Sequence, residues 1–131
     1  MSDAATRMPS EFEEFFQDYM ACLLWQAPEG DDGKELDDTH TVSDFSADSA
    51  ASSRKDCADF FSANEAMLKD VCERPGYSWG QAGHDFCLTR NHHGAGFWDR
   101  GLGQAGRVLT LSSHTYGSAG VYVGDDGKLY V

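Results

Sequence analysis

The chain has 131 residues, a formal net charge of −12, and 12% aromatic residues. This length predicts a single domain over residues 1–131, and the aromatic content argues against a chain that is disordered throughout. No apolar run is long enough to span a membrane and the first ten residues do not resemble a signal peptide, so we expect a cytoplasmic protein without membrane contact. The four cysteines form no Cys-x-x-Cys pair, which predicts buried, reduced thiols rather than a zinc ribbon or a redox motif. We expect no cofactor.

The negative charge is concentrated in the first part of the chain. Residues 1–75 contain 18 of the 22 acidic residues and 6 of the 10 basic ones, whereas residues 76–131 are neutral and contain 12 of the 14 glycines. Because phosphate contacts need a basic face, direct binding to nucleic acid is disfavoured. The charge favours a basic protein as the partner.

Ser10 begins the first predicted helix. Ser10 and Glu13 have the spacing of a capping box, residues 1–9 are expected to be a flexible N-terminus, and Pro28 ends the helix. Apolar side chains recur every three or four residues and predict a stripe that faces the core: Phe12, Phe15, Phe16, Tyr19, Leu23 and Leu24.

An acidic, glycine-containing stretch follows and predicts a mobile surface loop over residues 29–42. It lacks the register of a calcium-binding EF-hand loop, so a metal site is not expected there. The acids most available to a partner lie in this loop and on the polar face of the first helix: Asp31, Asp32, Glu35, Asp37, Asp38, Glu11, Glu14 and Asp18.

Residues 47–71 keep a helical period, with Ser46 as the N-terminal cap and Pro75 beyond the C-terminal end. Two serines weaken the middle of this stretch, and Ser62 with Glu65 has the spacing of a second capping box. One long helix and two shorter helices are therefore both compatible with the sequence.

After Pro75 the pattern changes from helical to extended. His84–Arg90 alternates apolar and polar residues and predicts a half-buried strand, and a glycine-rich loop follows as far as Gly101. Residues 102–116 have the spacing of a short helix, which Gly117 would stop in a left-handed conformation.

The C-terminus has the pattern of a β-hairpin. Val121–Val123 and Lys128–Val131 flank a Gly-Asp-Asp-Gly turn in which Gly127 suits the left-handed position. The chain is thus predicted to be an α+β domain, with a helical N-terminal half packed on a small antiparallel sheet of about three strands that ends in this hairpin.

Residues 84–101 contain several side chains of chemically active types. His84, Asp85, His93 and Asp99 are of the types that bind zinc or manganese. Adjacent residues of a strand point to opposite faces, however, so His84 and Asp85 are not expected to share an ion. Gly94-Ala95-Gly96 is weak support for a phosphate site, because no lysine follows it.

Most of this segment is expected to build the loop itself, through Arg90, Asn91, Gly94, Gly96, Asp99 and Arg100. The two arginines are expected to pair with Asp85 or Asp99, and Phe97 and Trp98 to fill the core. His93 and Trp98 are the candidates for contact with a partner, and an exposed Trp98 would be an interface anchor.

Four stretches in this part of the chain form a distinctive pattern. They are Ala-Gly-His-Asp-Phe at 82–86, Leu-Thr-Arg-Asn at 88–91, His-Gly-Ala-Gly-Phe-Trp-Asp at 93–99 and Tyr-Val-Gly-Asp-Asp-Gly at 122–127. This pattern resembles a family of small proteins encoded by tailed bacteriophages, in which glycine would be expected in place of His92. The resemblance implies a phage protein that works in the cytoplasm of the infected bacterial host.

The charge and the resemblance together favour a binding module rather than an enzyme. We expect an acidic inhibitor of a basic or nucleic-acid-binding host or defence protein, with DNA mimicry as one mechanism. Restriction, CRISPR and DNA-repair proteins and RNA polymerase are candidate targets. The alternative is a small metal-dependent hydrolase that uses the region of His84, His93 and Asp99.

Overall fold

The computed structural model describes the backbone of residues 3–27 and 35–131 and the side chains of residues 10–27 and 35–131. The elements in these ranges are α1 (Asp3–Trp25), α2 (Leu36–Thr39), α3 (Ala47–Ala63), α4 (Glu65–Cys72), α5 (Trp79–Arg90), α6 (Gln104–His114), β1 (Tyr122–Val123) and β2 (Leu129–Tyr130). Short 3₁₀ turns lie at Val42–Asp44 and Phe97–Asp99. The predicted α+β class and its C-terminal hairpin are confirmed.

The described sheet consists of β1 and β2 alone, paired antiparallel. Gly127 has the predicted left-handed backbone, with φ +82°. Phe45 forms an isolated bridge with Leu129, which ties the hairpin to the start of α3. The third strand predicted over His84–Arg90 is wrong, because this segment is the C-terminal part of α5.

The burial of α5 explains why its sequence has the pattern of a strand. Nine of its twelve residues are buried, and a helix that is covered on nearly all sides has no apolar stripe of period 3.6. The local start signal is nevertheless present, since the Ser78 hydroxyl accepts a hydrogen bond from the Gln81 amide at 3.0 Å.

Glycines allow α5 to lie directly against α1. A Cβ added at Gly83 would overlap the carbonyl oxygen of Phe15. One turn earlier, the Gly80 amide donates a hydrogen bond to the Glu14 carboxylate at 2.9 Å. Glycine lowers helix propensity, but here it permits the backbone of α5 to approach that of α1.

The apolar stripe predicted on α1 is confirmed, because all six of its side chains are buried. The helix ends at Trp25, before Pro28, as predicted. Its predicted start at Ser10 is wrong: the helix begins at Asp3, so Ser10 lies within it.

Residues 47–72 form two helices, separated at Asn64. Ser46 caps the first of them by accepting a hydrogen bond from the Ser49 amide at 3.1 Å. At the break, the Asn64 side chain donates to the Phe60 carbonyl at 2.9 Å and to the Ser112 hydroxyl at 2.9 Å. The break is therefore held by α6, a distant part of the chain.

Part of the predicted acidic loop lies outside the described residues, including Asp31 and Asp32. From Leu36 onwards the chain forms the short helix α2, and Leu36 is buried. Residues 36–39 of this stretch are thus helical. The exposed Asp37 and Asp38 lie on this helical turn, which the buried Leu36 side chain anchors to the core.

The core is built around aromatic rings. The Phe60 ring stacks on Phe86 with 4.1 Å between ring centroids, and it also contacts Phe15, Phe97 and Tyr116. These rings come from α1, α3, α5, the second 3₁₀ turn and the turn after α6. The aromatic cluster therefore joins most of the described elements.

All four cysteines are free and buried, as predicted. Burial raises the pKa of Cys57 and Cys87 well above the usual thiol range and that of Cys72 to about 12. These thiols consequently remain protonated at neutral pH and pack as small apolar side chains.

Candidate functional site

Six ring-bearing side chains converge on one face of the molecule. We call them the Trp–His surface, defined as Trp25, His84, His92, His93, Trp98 and His114. They come from the end of α1, from α5, from the loop after α5, from the second 3₁₀ turn and from the end of α6. The surface contains four of the five histidines of the chain and two of its three tryptophans.

His93 lies at the centre of this surface. Its ring meets Trp25 edge to face, with 5.5 Å between centroids. The Trp25 ring also lies 6.1 Å from His84. His93 lines two cavities, one on the side of Trp98 and one on the side of Trp25.

The first cavity, which we call the Trp98 cavity, has a volume of about 280 Å³. Its wall combines an apolar floor with imidazole and indole rings: Leu88, Thr89, His92, His93, Gly94, Ala95, Trp98 and His114. Such a mixture suits the side chain of a protein partner.

The second cavity, which we call the acidic cavity, has a volume of about 460 Å³. It lies between the end of α1 and the start of α2 and is lined by Trp25, Gln26, Ala27, Glu35, Asp37 and His93. Two of the acids selected from the sequence, Glu35 and Asp37, thus line the same cavity as His93.

Phe97 and Trp98 are neighbours with opposite environments. Phe97 is completely buried, whereas 59% of Trp98 is exposed. The expectation that Trp98 fills the core is therefore wrong. Successive residues of a 3₁₀ turn differ in direction by about 120°, and the Phe97 amide is fixed by a 3.2 Å hydrogen bond to the Thr89 hydroxyl, so the next side chain points outward.

A buried carboxylate fixes the turn that carries Trp98. Asp85 is completely buried and accepts hydrogen bonds from Tyr77 (2.6 Å), Gln81 (3.0 Å) and the Arg100 guanidinium (2.9 and 3.1 Å). Arg100 directly follows the turn, and its predicted pairing with Asp85 is confirmed. The hydrogen bond to Asp85 raises the pKa of Arg100, while burial and the Asp85 charge raise that of Tyr77.

Arg90 fixes the other end of the segment, although not with the predicted partners. Its guanidinium pairs with Asp56 at 2.9 Å rather than with Asp85 or Asp99. It also donates to the Tyr19 hydroxyl at 3.0 Å and to the carbonyl oxygens of Tyr116 and Gly117 at 2.9 and 2.8 Å. Burial raises the pKa of Tyr19, so its hydroxyl stays neutral. Arg90 therefore joins α1, α3 and the chain after α6 to α5.

The backbone of the glycine loop is already hydrogen-bonded. The Gly96 amide donates to Asp99 at 3.1 Å, the Ala95 amide to the His93 carbonyl at 2.9 Å, and the Asn91 side chain accepts from the Ala119 amide at 2.6 Å. Gly94, next to them, has a left-handed φ of +83°. Because the Phe97 amide is bonded as well, the amides of Ala95, Gly96 and Phe97 are not free to hold a phosphate.

His92 has an unusual backbone conformation. Its φ is +52°, which lies in the left-handed region in which a β-carbon is disfavoured. Its ring stacks on His114 with 4.5 Å between centroids. This stack connects the loop to the end of α6.

The acids selected as partner contacts are mostly on the surface. Glu14, Asp18, Glu35, Asp37 and Asp38 are exposed, and Glu11 is half-buried. Glu14 and Asp18 lie one turn apart on the same helix as Trp25, so they extend the negative charge away from the acidic cavity along α1.

The metal-ligand set considered for a hydrolase is not assembled. His84 and His93 both lie beside Trp25, whereas Asp99 bonds the Gly96 amide. Among the described residues, no three His, Cys, Asp or Glu side chains are placed to hold a metal ion.

As partner contacts on this surface, the sequence selected His93 and Trp98, whereas His84 was considered only as a metal ligand. Trp25 continues the exposed face of α1 that carries Glu14 and Asp18, and this spacing was a usable signal. His114 had no such signal, since it meets His92 only through the packing of α6 against α5.

Comparison of the chain with protein-family models, with curated proteins and with solved structures gave no match. Within the described residues, the helices are too short or too polar for any of them to traverse a lipid bilayer.

Proposed function

We propose that this chain is a phage-encoded protein-binding module whose partner is a basic, nucleic-acid-binding protein of the bacterial host or its defence systems. The observation that carries this proposal is the Trp–His surface, where two tryptophans are more than half exposed beside exposed carboxylates. Tryptophan is among the residues that dominate binding energy at protein interfaces. Exposed rings of this size, gathered on one face, are typical of an interaction site.

The charge distribution supports a basic partner. Residues 1–75 carry the whole net charge of −12, and the exposed acids of α1 and α2 lie on the side of the surface next to Trp25. Such a field attracts a basic protein and speeds its association. An inhibitor that presents carboxylates to a nucleic-acid-binding face would act by DNA mimicry.

The polar groups under this surface support binding rather than catalysis. Among the described residues, the buried charged side chains are Asp85 and Arg90, and both are hydrogen-bonded to structural partners. They hold the surface in shape, and its exposed part consists of rings and carboxylates. A preformed surface of this kind loses little entropy when it binds.

A capture experiment with matched variants tests the proposal. Wild type, Trp98→Ala and Tyr122→Ala are immobilised and exposed to nuclease-treated bacterial lysate, and the retained protein is then purified for affinity measurements. Tyr122 is the control because it is also 59% exposed but lies on the hairpin. We expect Trp98→Ala to weaken binding at least about 30-fold, the effect of losing an interface hot spot, and Tyr122→Ala to bind like wild type.

Two results would overturn the proposal. One is equal affinity of the purified partner for wild type and Trp98→Ala. The other is an association rate that is independent of salt and unchanged by the combined Glu35→Gln, Asp37→Asn and Asp38→Asn substitutions, since steering by exposed charges must weaken in both cases.

A further inference from the structure

The acidic cavity has the composition of a cation-binding site. Its described lining includes the carboxylates Glu35 and Asp37 and the indole of Trp25, but no ammonium or guanidinium group. Its volume of about 460 Å³ lies within the range that ligand sites usually occupy, about 300–1,000 Å³.

The groups of this cavity are available to an incoming side chain. Trp25 is 53% exposed, and both acids are exposed. Within the described part of the chain, neither carboxylate has an ion-pair partner. The described acids that do have one, such as Asp85 and Asp56, are instead used to hold the fold.

Arginine fits this combination better than lysine does. The guanidinium is planar, so it stacks on an indole, and its fork of donors can bond carboxylates on its edge at the same time. A lysine ammonium is more strongly hydrated and bonds as a point charge. Nucleic acid and anionic lipid are disfavoured by the two carboxylates.

We propose that the acidic cavity receives an arginine side chain of the protein partner, stacked on Trp25 and paired with Glu35 and Asp37. This inference rests on the proposed function and specifies the residue by which the partner is anchored. His93 is shared with the Trp98 cavity, so the residues that flank this arginine would lie against Trp98.

The test uses a blocked Gly-Arg-Gly-Arg-Gly peptide as the probe and the indole N–H signals of the protein as the readout. The chain has three tryptophans, so three signals are assigned with single Trp→Phe variants, and half-buried Trp79 is the internal reference. We expect the Trp25 signal to shift and to saturate. The matching lysine peptide is expected to need at least about tenfold higher concentration to produce the same shift, because an ammonium group cannot stack on the indole and bond two carboxylates as a guanidinium can.

A matched pair of variants identifies the carboxylates. The double variant Glu35→Gln with Asp37→Asn should lower the affinity for the arginine peptide at least about tenfold, the equivalent of one lost charge-assisted contact. Asp48→Asn with Glu65→Gln removes the same charge from exposed acids of α3 and α4 and should change the affinity less than about twofold, because distant surface charges are screened.

The possible outcomes separate this inference from the proposed function. The arginine assignment would be overturned if the Trp25 signal did not shift, or if the arginine and lysine peptides bound equally well. It would also be overturned if both double variants weakened binding equally, or if spermidine, a cation without a guanidinium group, displaced the bound arginine peptide as effectively as free arginine peptide does. If Trp98→Ala still abolishes capture of the partner in that case, the binding module stands without this anchor. If the peptide binds as expected but Trp98→Ala captures the partner normally, the proposed function fails and the cation site remains.

Discussion

The segment from His84 to Arg100 has two sides that behave as different regions of the molecule. On its buried side, Asp85 and Phe97 are completely covered, and nearly the whole of Arg90 is covered. On its exposed side, His93 and Trp98 face solvent. Because the two sides alternate along one stretch, neighbouring substitutions should affect different properties: stability on one side and binding on the other.

The buried side is sensitive because its polar groups have no access to water. A buried charge that loses its partner costs several kcal/mol, since neither solvent nor another side chain replaces the lost bonds. The exposed side has no such requirement, because water replaces any contact that is removed.

Arg90→Ala should lower the free energy of unfolding by about 3 kcal/mol, the lower end of the range for breaking a buried pair, because the Arg90 side chain is buried whereas 35% of the Asp56 side chain is exposed. The substitution removes the partner of Asp56 and leaves the Tyr19 hydroxyl and two carbonyl oxygens without their donor. Urea unfolding measures the change. Arg90→Lys is the informative companion, and we expect it also to be destabilised, because an ammonium cannot reproduce the fork of donors. Stability equal to that of wild type in both variants would refute the structural role of this arginine.

Gly83→Ala should lower the free energy of unfolding by about 1–3 kcal/mol or more, as overpacking does. The new methyl group would overlap the Phe15 carbonyl, which belongs to the rigid backbone of α1. Gly120→Ala is the control, since nothing lies within 4 Å of a Cβ at that position, and it should change stability by less than about 0.5 kcal/mol. Equal behaviour of the two variants would show that α1 and α5 are not in close contact.

His92→Gly should have the smallest effect and the opposite sign. Glycine removes the cost of a left-handed backbone, about 1–2 kcal/mol for an ordinary residue, but it loses the stack on His114 and adds freedom to the unfolded chain. We expect a net stabilisation of about 0.5 kcal/mol, measured as a higher thermal midpoint. A lower midpoint would mean that the histidine stack contributes more than the strain costs.

The sequence was sufficient for elements whose signals are local. The apolar stripe of α1, the Ser46 cap, and the hairpin with its left-handed Gly127 were all predicted, since each depends on residues close together in the chain. The helix α5 was missed because its burial arises from contacts with α1 and α6, which leave no periodic pattern to detect.

The candidate site was predictable only in part, for the same reason. Trp98 was selected as a contact, but its exposure depends on the turn fixed by Asp85 and Arg100, which come from separate elements. His114 and Trp25 reach the surface through helix packing. Residues that converge from five parts of the chain cannot all be found from spacing alone.

The central claim is that neighbours in this segment divide between holding the fold and contacting a partner, and Phe97 and Trp98 test it most directly. The measurement is the free energy of urea unfolding for Phe97→Ala and Trp98→Ala. We predict a loss of about 3–5 kcal/mol for Phe97→Ala, as for other buried aromatic residues, and a change within about 0.5 kcal/mol for Trp98→Ala, as for an exposed site. A loss of several kcal/mol in Trp98→Ala would contradict the account, because it would place this ring in the core and remove it from the binding surface.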